Sequence, residues 1–328
     1  MIPARVAVRT IVVFAALAVT PAYSQTVAPN AVHHPPGGYA GTQGGRLWYE
    51  IEGQGEPVLL IAGGPGSSHN YFHPGLSALS DSFRIVYFDS YGRGRSDRAA
   101  SASAYTVNRD VEDVDRLRRA LGLGRVHLVG HSYGGMVAIA YALAHPGAVK
   151  SLTIASAPIS GQSWQAANEN FNRTLRSHYP EAWDSVVKLR AKGRVASDSL
   201  HRAAFQVAHP AMMFLFNGSN GAVLRASSDS LSWNPAVYFA IAGRDADFHL
   251  GGSAARLDFR GTVGKLRMPV LVIAGRFDRE IYPRLMLEYR RYAPRARFVM
   301  FERSGHFPFI EEPEVFERTM REFLTGSR

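Results

Sequence analysis

The stretch Val126-His127-Leu128-Val129-Gly130-His131-Ser132-Tyr133-Gly134-Gly135-Met136, running on to Ala144, decides how the rest of the chain is read. Val126 to Val129 is a short apolar run of the kind that fills a buried strand, and Met136 to Ala144 is apolar over a helical length. Gly130-x-Ser132-x-Gly134 joins the two. A strand that becomes a helix within so few residues forces the central serine into a strained backbone conformation, and only small flanking residues avoid collision. The serine is then presented at the tip of a strand, with the positive end of a helix behind it to stabilise negative charge. The pattern predicts a nucleophilic Ser132.

A serine hydroxyl attacks only if a base takes its proton, and in this strand-turn-helix setting the base comes late in the chain. His306, in Ser304-Gly305-His306, follows the strand-like run Phe298 to Phe301 and precedes a helix expected near Glu312. That places it on a loop at the end of the sheet where Ser132 sits. An imidazole in this role needs a carboxylate to fix its tautomer. Asp278, just past the run Val270 to Ala274, is the candidate, because the alternative loop Ser156-Ala157-Pro158-Ile159 carries no acid. A tetrahedral intermediate also needs backbone N–H donors. Tyr133, after the nucleophile, and Gly63-Gly64-Pro65-Gly66 are expected to give them, with Gly64 favoured over Gly63.

Working outward, further strand-like runs are Leu47 to Ile51, Val58 to Ala62, Arg84 to Phe88 and Leu152 to Ala155. Helical patterns alternate with them, the clearest being Val107 to Leu121, where Val111, Val114, Leu117 and Leu121 share a face and Asp110, Glu112 and Asp113 lie near the positive end. Alternation of this kind predicts a mostly parallel central sheet with helices on both faces. From 158 to 264 it stops, and helical stretches such as Glu181 to Lys192 and Leu200 to Phe216 read as an inserted helical cap. With the elbow, this is the α/β-hydrolase architecture: a core of 41–157 and 265–328, interrupted by a cap.

The 328 residues carry 37 Lys+Arg against 27 Asp+Glu, a formal charge of +10. The basic residues are scattered and only four are lysines, so no nucleic-acid partner is expected. Arg5 and Arg9 before the apolar run Ile11 to Val19, then Ala22-Tyr23-Ser24, read as an export signal over 1–24, cleaved after Ser24. The run is too short to span a bilayer, so no stable membrane insertion is expected after its removal and the product is expected to be periplasmic or secreted. Residues 25–40 read as a flexible tail. The absence of cysteine is compatible with an oxidising compartment. Asp89 with Gly92-Arg93-Gly94-Arg95-Ser96 lacks the residues of a phosphate loop and reads as a structural turn. His69 and His73 have i, i+4 spacing, but no Glu follows His69 and the neighbourhood is loop-like, so no metal or other cofactor is expected.

Gly63-Gly64-Pro65-Gly66, the Asp89 to Ser96 turn, the Ser132 elbow, Asp278 and His306, in this order, resemble the proline iminopeptidase family of α/β-hydrolases, as does the fragment Asn234-Pro235-Ala236-Val237-Tyr238. The resemblance covers residues from about 40 to 325 and implies removal of an N-terminal residue, often proline, from short peptides without a cofactor. Two departures stand out. Ala62 occupies the position where the family usually has His, and the cap glutamates that hold the substrate's α-ammonium are matched imperfectly by Gly243 to Phe248. Asp247 is the substrate-binding candidate there, against a solvated cap aspartate, and Glu169 is a candidate second acid. The same acyl chemistry serves an esterase or lactonase, and a non-catalytic binding protein on this scaffold is the reading from another class. Epoxide hydrolysis and dehalogenation are not expected, since those relatives carry Asp at the elbow, where this chain has Ser132.

Overall fold

The computed structural model describes residues 33–42, 44–207 and 214–327. The expected signal segment and half of the expected tail, residues 25–32, lie outside these residues. The strands are β1 Gly37–Thr42, β2 Gly45–Glu52, β3 Glu56–Ile61, β4 Phe83–Phe88, β5 Val126–His131, β6 Val149–Ala155, β7 Val270–Gly275 and β8 Arg297–Phe301. They form one sheet in the order β1-β2-β4-β3-β5-β6-β7-β8, antiparallel where β2 meets β1 and β4 and parallel elsewhere. Residues 37–40, expected as part of the tail, are strand. Their glycine-rich sequence hides this, because β1 is held by its ladder to β2 rather than by apolar side chains.

The sheet separates two apolar layers. Leu59, Ile61, Leu128, Leu152, Ile154 and Val272 pack to one side, while Val58, Leu60, Val129, Leu271 and Ile273 pack to the other. Adjacent strand residues point to opposite faces, so continuous apolar strands mark a sheet covered on both. Each fully buried side chain of this size contributes about 1.5–3 kcal/mol. The first layer is closed by α1 Val107–Ala120 and α2 Tyr133–Ala144, the second by residues Phe72 to Leu79 and by the C-terminal helix Pro313–Gly326. Helix α1 starts at Thr106, whose side chain caps the N–H of Arg109. Its acids do more than answer the helix dipole: Asp110 and Asp113 are buried and ion-paired to Arg93 and Arg109.

Between β6 and β7 the described residues contain helices and no strand: α3 Gly161–His178, α4 Pro180–Ala191, α5 Ser199–Val207, α6 Gly221–Ala226 and α7 Pro235–Ala242. The helix expected over 200–216 is shorter, and Phe214 to Phe216 are not helical. The two ends of this insertion meet in a short antiparallel bridge, Ser160 with Asp258, with Gly161 N–H donating to Leu257 O at 2.7 Å and Phe259 N–H to Ile159 O at 3.1 Å.

Candidate active site

Ser132 stands between β5 and α2 with φ 55° and ψ −128°, a left-handed conformation that costs a non-glycine residue roughly 1–3 kcal/mol. The sharp turn presses the start of α2 against β3, where a Cβ on Gly134 would collide with the carbonyl oxygens of Ile61 and Ala62. The elbow's tightness is thus the reason for its glycines.

His306 and Asp278 are both buried, and the His306 Nδ1–H donates to Asp278 Oδ2 at 2.9 Å. The other Asp278 oxygen accepts the N–H groups of Glu280 and Ile281 at 2.9 and 2.8 Å, which fixes the carboxylate's orientation. Burial pulls the His306 pKa down, but the Asp278 charge and hydrogen bond outweigh it and leave it raised. Such an imidazole is a stronger proton acceptor, with its proton held at Nδ1 and Nε2 left to accept. Ser132 and His306 line one cavity of about 530 Å³, together with Gly63 and Gly64.

Two networks fasten the Gly63 to Gly66 loop to the elbow. Gly63 N–H donates to Tyr71 Oη at 2.6 Å, Tyr71 O–H lies 3.1 Å from His131 Nδ1, and His131 Nε2 lies 2.8 Å from the carbonyl of His306. A carbonyl only accepts, so His131 carries its proton on Nε2 and receives the Tyr71 hydroxyl proton at Nδ1. Burial, then the neighbouring His306, holds the His131 pKa well below the ordinary value, keeping the ring neutral. Because the Gly63 N–H is engaged, Gly64, at φ +62° and on the cavity wall, has the amide free of that bond. In the second network Arg93 grips Asp110 through two bonds of 2.6 and 2.7 Å and donates from Nε to the Pro65 carbonyl at 2.5 Å. Tyr133 O–H donates to the same Asp110 at 2.6 Å. The turn read as structural therefore ties the Gly63 to Gly66 loop to the residue after Ser132.

The cap closes the cavity with aromatic rings, Phe171, Phe205, Trp233, Tyr238 and Phe239 among them. Asn234, in the fragment noted above, caps α7 and anchors it to the sheet domain: its side chain donates to Gly92 O at 2.7 Å and its N–H to Gly66 O at 2.9 Å. Asp247 lies on the cavity wall, not on the cap surface, and accepts the Tyr238 hydroxyl at 2.9 Å. Glu169 is exposed and bonds Gln165, away from the cavity. The second acid on the wall is Glu280, which the sequence reading passed over although it stands two residues beyond Asp278. Burial raises Asp247 to about 6 and Glu280 to about 7, and the Asp247 charge adds to the rise at Glu280. Both carboxyls are thus costly to ionise while the cavity holds no cation.

A profile of the α/β hydrolase fold matches residues 56–313. The proline iminopeptidase of Heyndrickxia coagulans is 30% identical over 297 residues, covering 88% of this chain and 98% of that protein. That of Clostridium botulinum is 28% identical, covering 85% and 93%. The crystal structure of the Mycobacterium smegmatis proline iminopeptidase superposes with a TM-score of 0.69 at 23% identity, over 89% of this chain and 98% of that one. The elbow, the buried imidazole and carboxylate, the capped cavity and these likenesses agree: the chain belongs to the proline iminopeptidase family of α/β-hydrolases and is a serine hydrolase.

Proposed function

We propose that the protein is an exported aminopeptidase that removes the N-terminal residue, proline in particular, from short peptides. The observation that carries this reading is the pair Asp247 and Glu280 on the wall of the cavity that Ser132 and His306 also line. An ester or lactone has no use for two acids there, whereas the α-ammonium of a peptide's first residue does. The aromatic wall suits an apolar, compact first side chain such as the pyrrolidine ring.

In this reading Ser132 Oγ adds to the carbonyl carbon of the first residue as its proton passes to His306 Nε2. The amides of Gly64 and Tyr133 hold the resulting oxyanion, and Asp278 stabilises the imidazolium. Collapse breaks the C–N bond, and His306 returns the proton to the departing amine. Water then adds to the acyl carbon as His306 takes its proton, and collapse breaks the bond to Ser132 Oγ, which receives that proton back from His306 as the amino acid leaves. With substrate and water as the reactants, these steps balance.

Paired assays of prolyl and other aminoacyl amides against short-chain esters test the reading. Turnover of free-amine substrates, lost on N-acetylation, supports it; turnover of esters or lactones alone sinks it. Fluorophosphonate labelling that disappears in Ser132→Ala excludes a binding protein on a hydrolase scaffold. For export, a mature N-terminus at Gln25 in the periplasmic or extracellular fraction is expected, and an intact Met1 in the cytoplasm would defeat that part. Among the described residues no helix is long and apolar enough to cross a membrane.

A further inference from the structure

Away from the cavity mouth, four side chains converge that hydrolysis does not use. We propose that His34, Glu50, His69 and His73 form a zinc site, a closed four-ligand centre that braces one wall of the hydrolytic cavity.

The stretch expected as loop is helical: Asn70–Phe72 is a 3₁₀ turn and His73–Leu76 a helical one. This brings the His69 and His73 rings to 5.3 Å, with His34 from the segment before β1 at 4.6 Å from His73. Glu50, on β2, points its Oε2 into the group, and His34 Nδ1, His69 Nε2 and His73 Nε2 lie 3.0, 3.3 and 3.1 Å from it. Despite these distances neither His69 Nε2 nor His73 Nε2 makes a hydrogen bond, and both are buried, as is His73 Nδ1, which has none either. Orphaned ring nitrogens in a buried site are expensive, and an ion at the centre satisfies two of the three.

The dimensions fit. Ligands around a tetrahedral zinc with bonds of about 2.0–2.1 Å stand about 3.3 Å apart, as the three nitrogens do from Glu50 Oε2. All four ligand atoms lie within 4.8 Å of one another, so the widest pair has to draw in by no more than about 1.5 Å. The supporting groups are in place as well. Asp89 Oδ1 accepts from His69 Nδ1 at 2.8 Å, which leaves the His69 Nε2 lone pair for the metal. Trp48 Nε1–H donates to Glu50 Oε1 at 3.0 Å and reserves the other oxygen. His73 stacks on Tyr87 with centroids 4.1 Å apart. A dication balances the two buried carboxylates, Glu50 and Asp89, and three imidazoles with one carboxylate select zinc over oxygen-seeking calcium or magnesium.

With four protein ligands the centre has no open position for substrate, so its role is structural. It joins the N-terminal segment and β2 to the stretch whose Ser67, Ser68, Asn70 and Tyr71 line the cavity.

The test uses the whole chain without a histidine tag, stripped with a strong chelator and titrated with zinc alone. Expected are one zinc per chain, a rise of several degrees in melting temperature on reloading, and the intense visible bands of a tetrahedral ion when cobalt replaces zinc. His34→Ala, at a partly exposed position, is expected to fold and to bind zinc at least ~10-fold more weakly, as is His73→Gln, while His33→Ala is unchanged. The proposal is overturned if stripped protein takes up no stoichiometric zinc, if zinc leaves the melting temperature where it was, or if both ligand variants bind as tightly as the parent.

Discussion

The cavity's two walls are built on opposite principles. Around Ser132 the polar groups are paired: Asp278 accepts three hydrogen bonds, His131 and Tyr71 close a relay, and Arg93 and Asp110 neutralise each other below the Gly63 to Gly66 loop. On the other side Asp247 has one side-chain bond, and the two acids are held well above the usual carboxylate range, chiefly by burial. In the proposed reading the satisfied wall is a rigid tool for chemistry, whereas the costly wall is stabilised when the substrate's ammonium arrives. The difference separates the part that reacts from the part that chooses.

Breaking the first wall has the largest effect. Ser132→Ala is expected to lower kcat by roughly 10⁵-fold or more with little change in substrate affinity, measured by single-turnover kinetics and equilibrium binding. Asp278→Asn leaves the loop in place but favours the wrong tautomer of His306, for a loss of about 10⁴-fold in kcat. A loss below tenfold would move the acid's role elsewhere.

Breaking the second wall is expected to act on KM. Glu280→Gln removes one charge-assisted contact, worth about 1.5–3 kcal/mol, or ~10–100-fold in KM for aminoacyl substrates. Hydrolysis of an uncharged ester is expected to stay within a few-fold. If both substrates suffer alike, the side chain shapes the pocket and is no ammonium receptor.

The pH dependence sharpens the contrast. Free-amine substrates need ionised acids, so KM is expected to fall as pH rises through 6 to 7, the range to which Asp247 and Glu280 are raised. Both acids bind protons more tightly folded than unfolded, so their contribution destabilises the empty enzyme increasingly as pH rises from ordinary carboxylate values toward 7. At pH 8, Glu280→Gln is therefore expected to melt higher than the parent; calorimetry at pH 5 and 8 checks the sign. The smallest effect is at the relay: Tyr71→Phe frees the Gly63 N–H and is expected to cost about 0.5–1.5 kcal/mol, a three- to tenfold drop in kcat/KM.

The sheet wall was legible because its parts are local. Ser132 lies in a five-residue turn whose glycines are dictated by backbone contact, and His306 and Asp278 each follow an apolar strand that announces them. The choosing wall depends on which loops the fold brings together. Glu280 carries no periodic or spacing signal, and its meaning appears only when the turn after β7 meets Asp247 from the cap. Glu169, equally acidic, faces out. Gly37 to Thr42 has too few side chains to read as a strand, and Asp110 looked like a helix-end charge although Arg93, seventeen positions earlier, is its counter-ion.

The bridge between Ser160 and Asp258 brings the entry and the exit of the insertion together. Because its entry and exit are laced side by side, a few glycines would close the gap without stretching β6 or β7, while the bonds of Asn234 to Gly66 and Gly92 and of the His306 N–H to the Phe214 carbonyl tie the inserted residues back to the scaffold. A different lid sewn to the same seam would inherit Ser132 and Asp278 from the scaffold, but it would have to replace the Phe214 carbonyl that accepts the His306 N–H, so a transplanted appetite for a new substrate is gained only with that one support rebuilt.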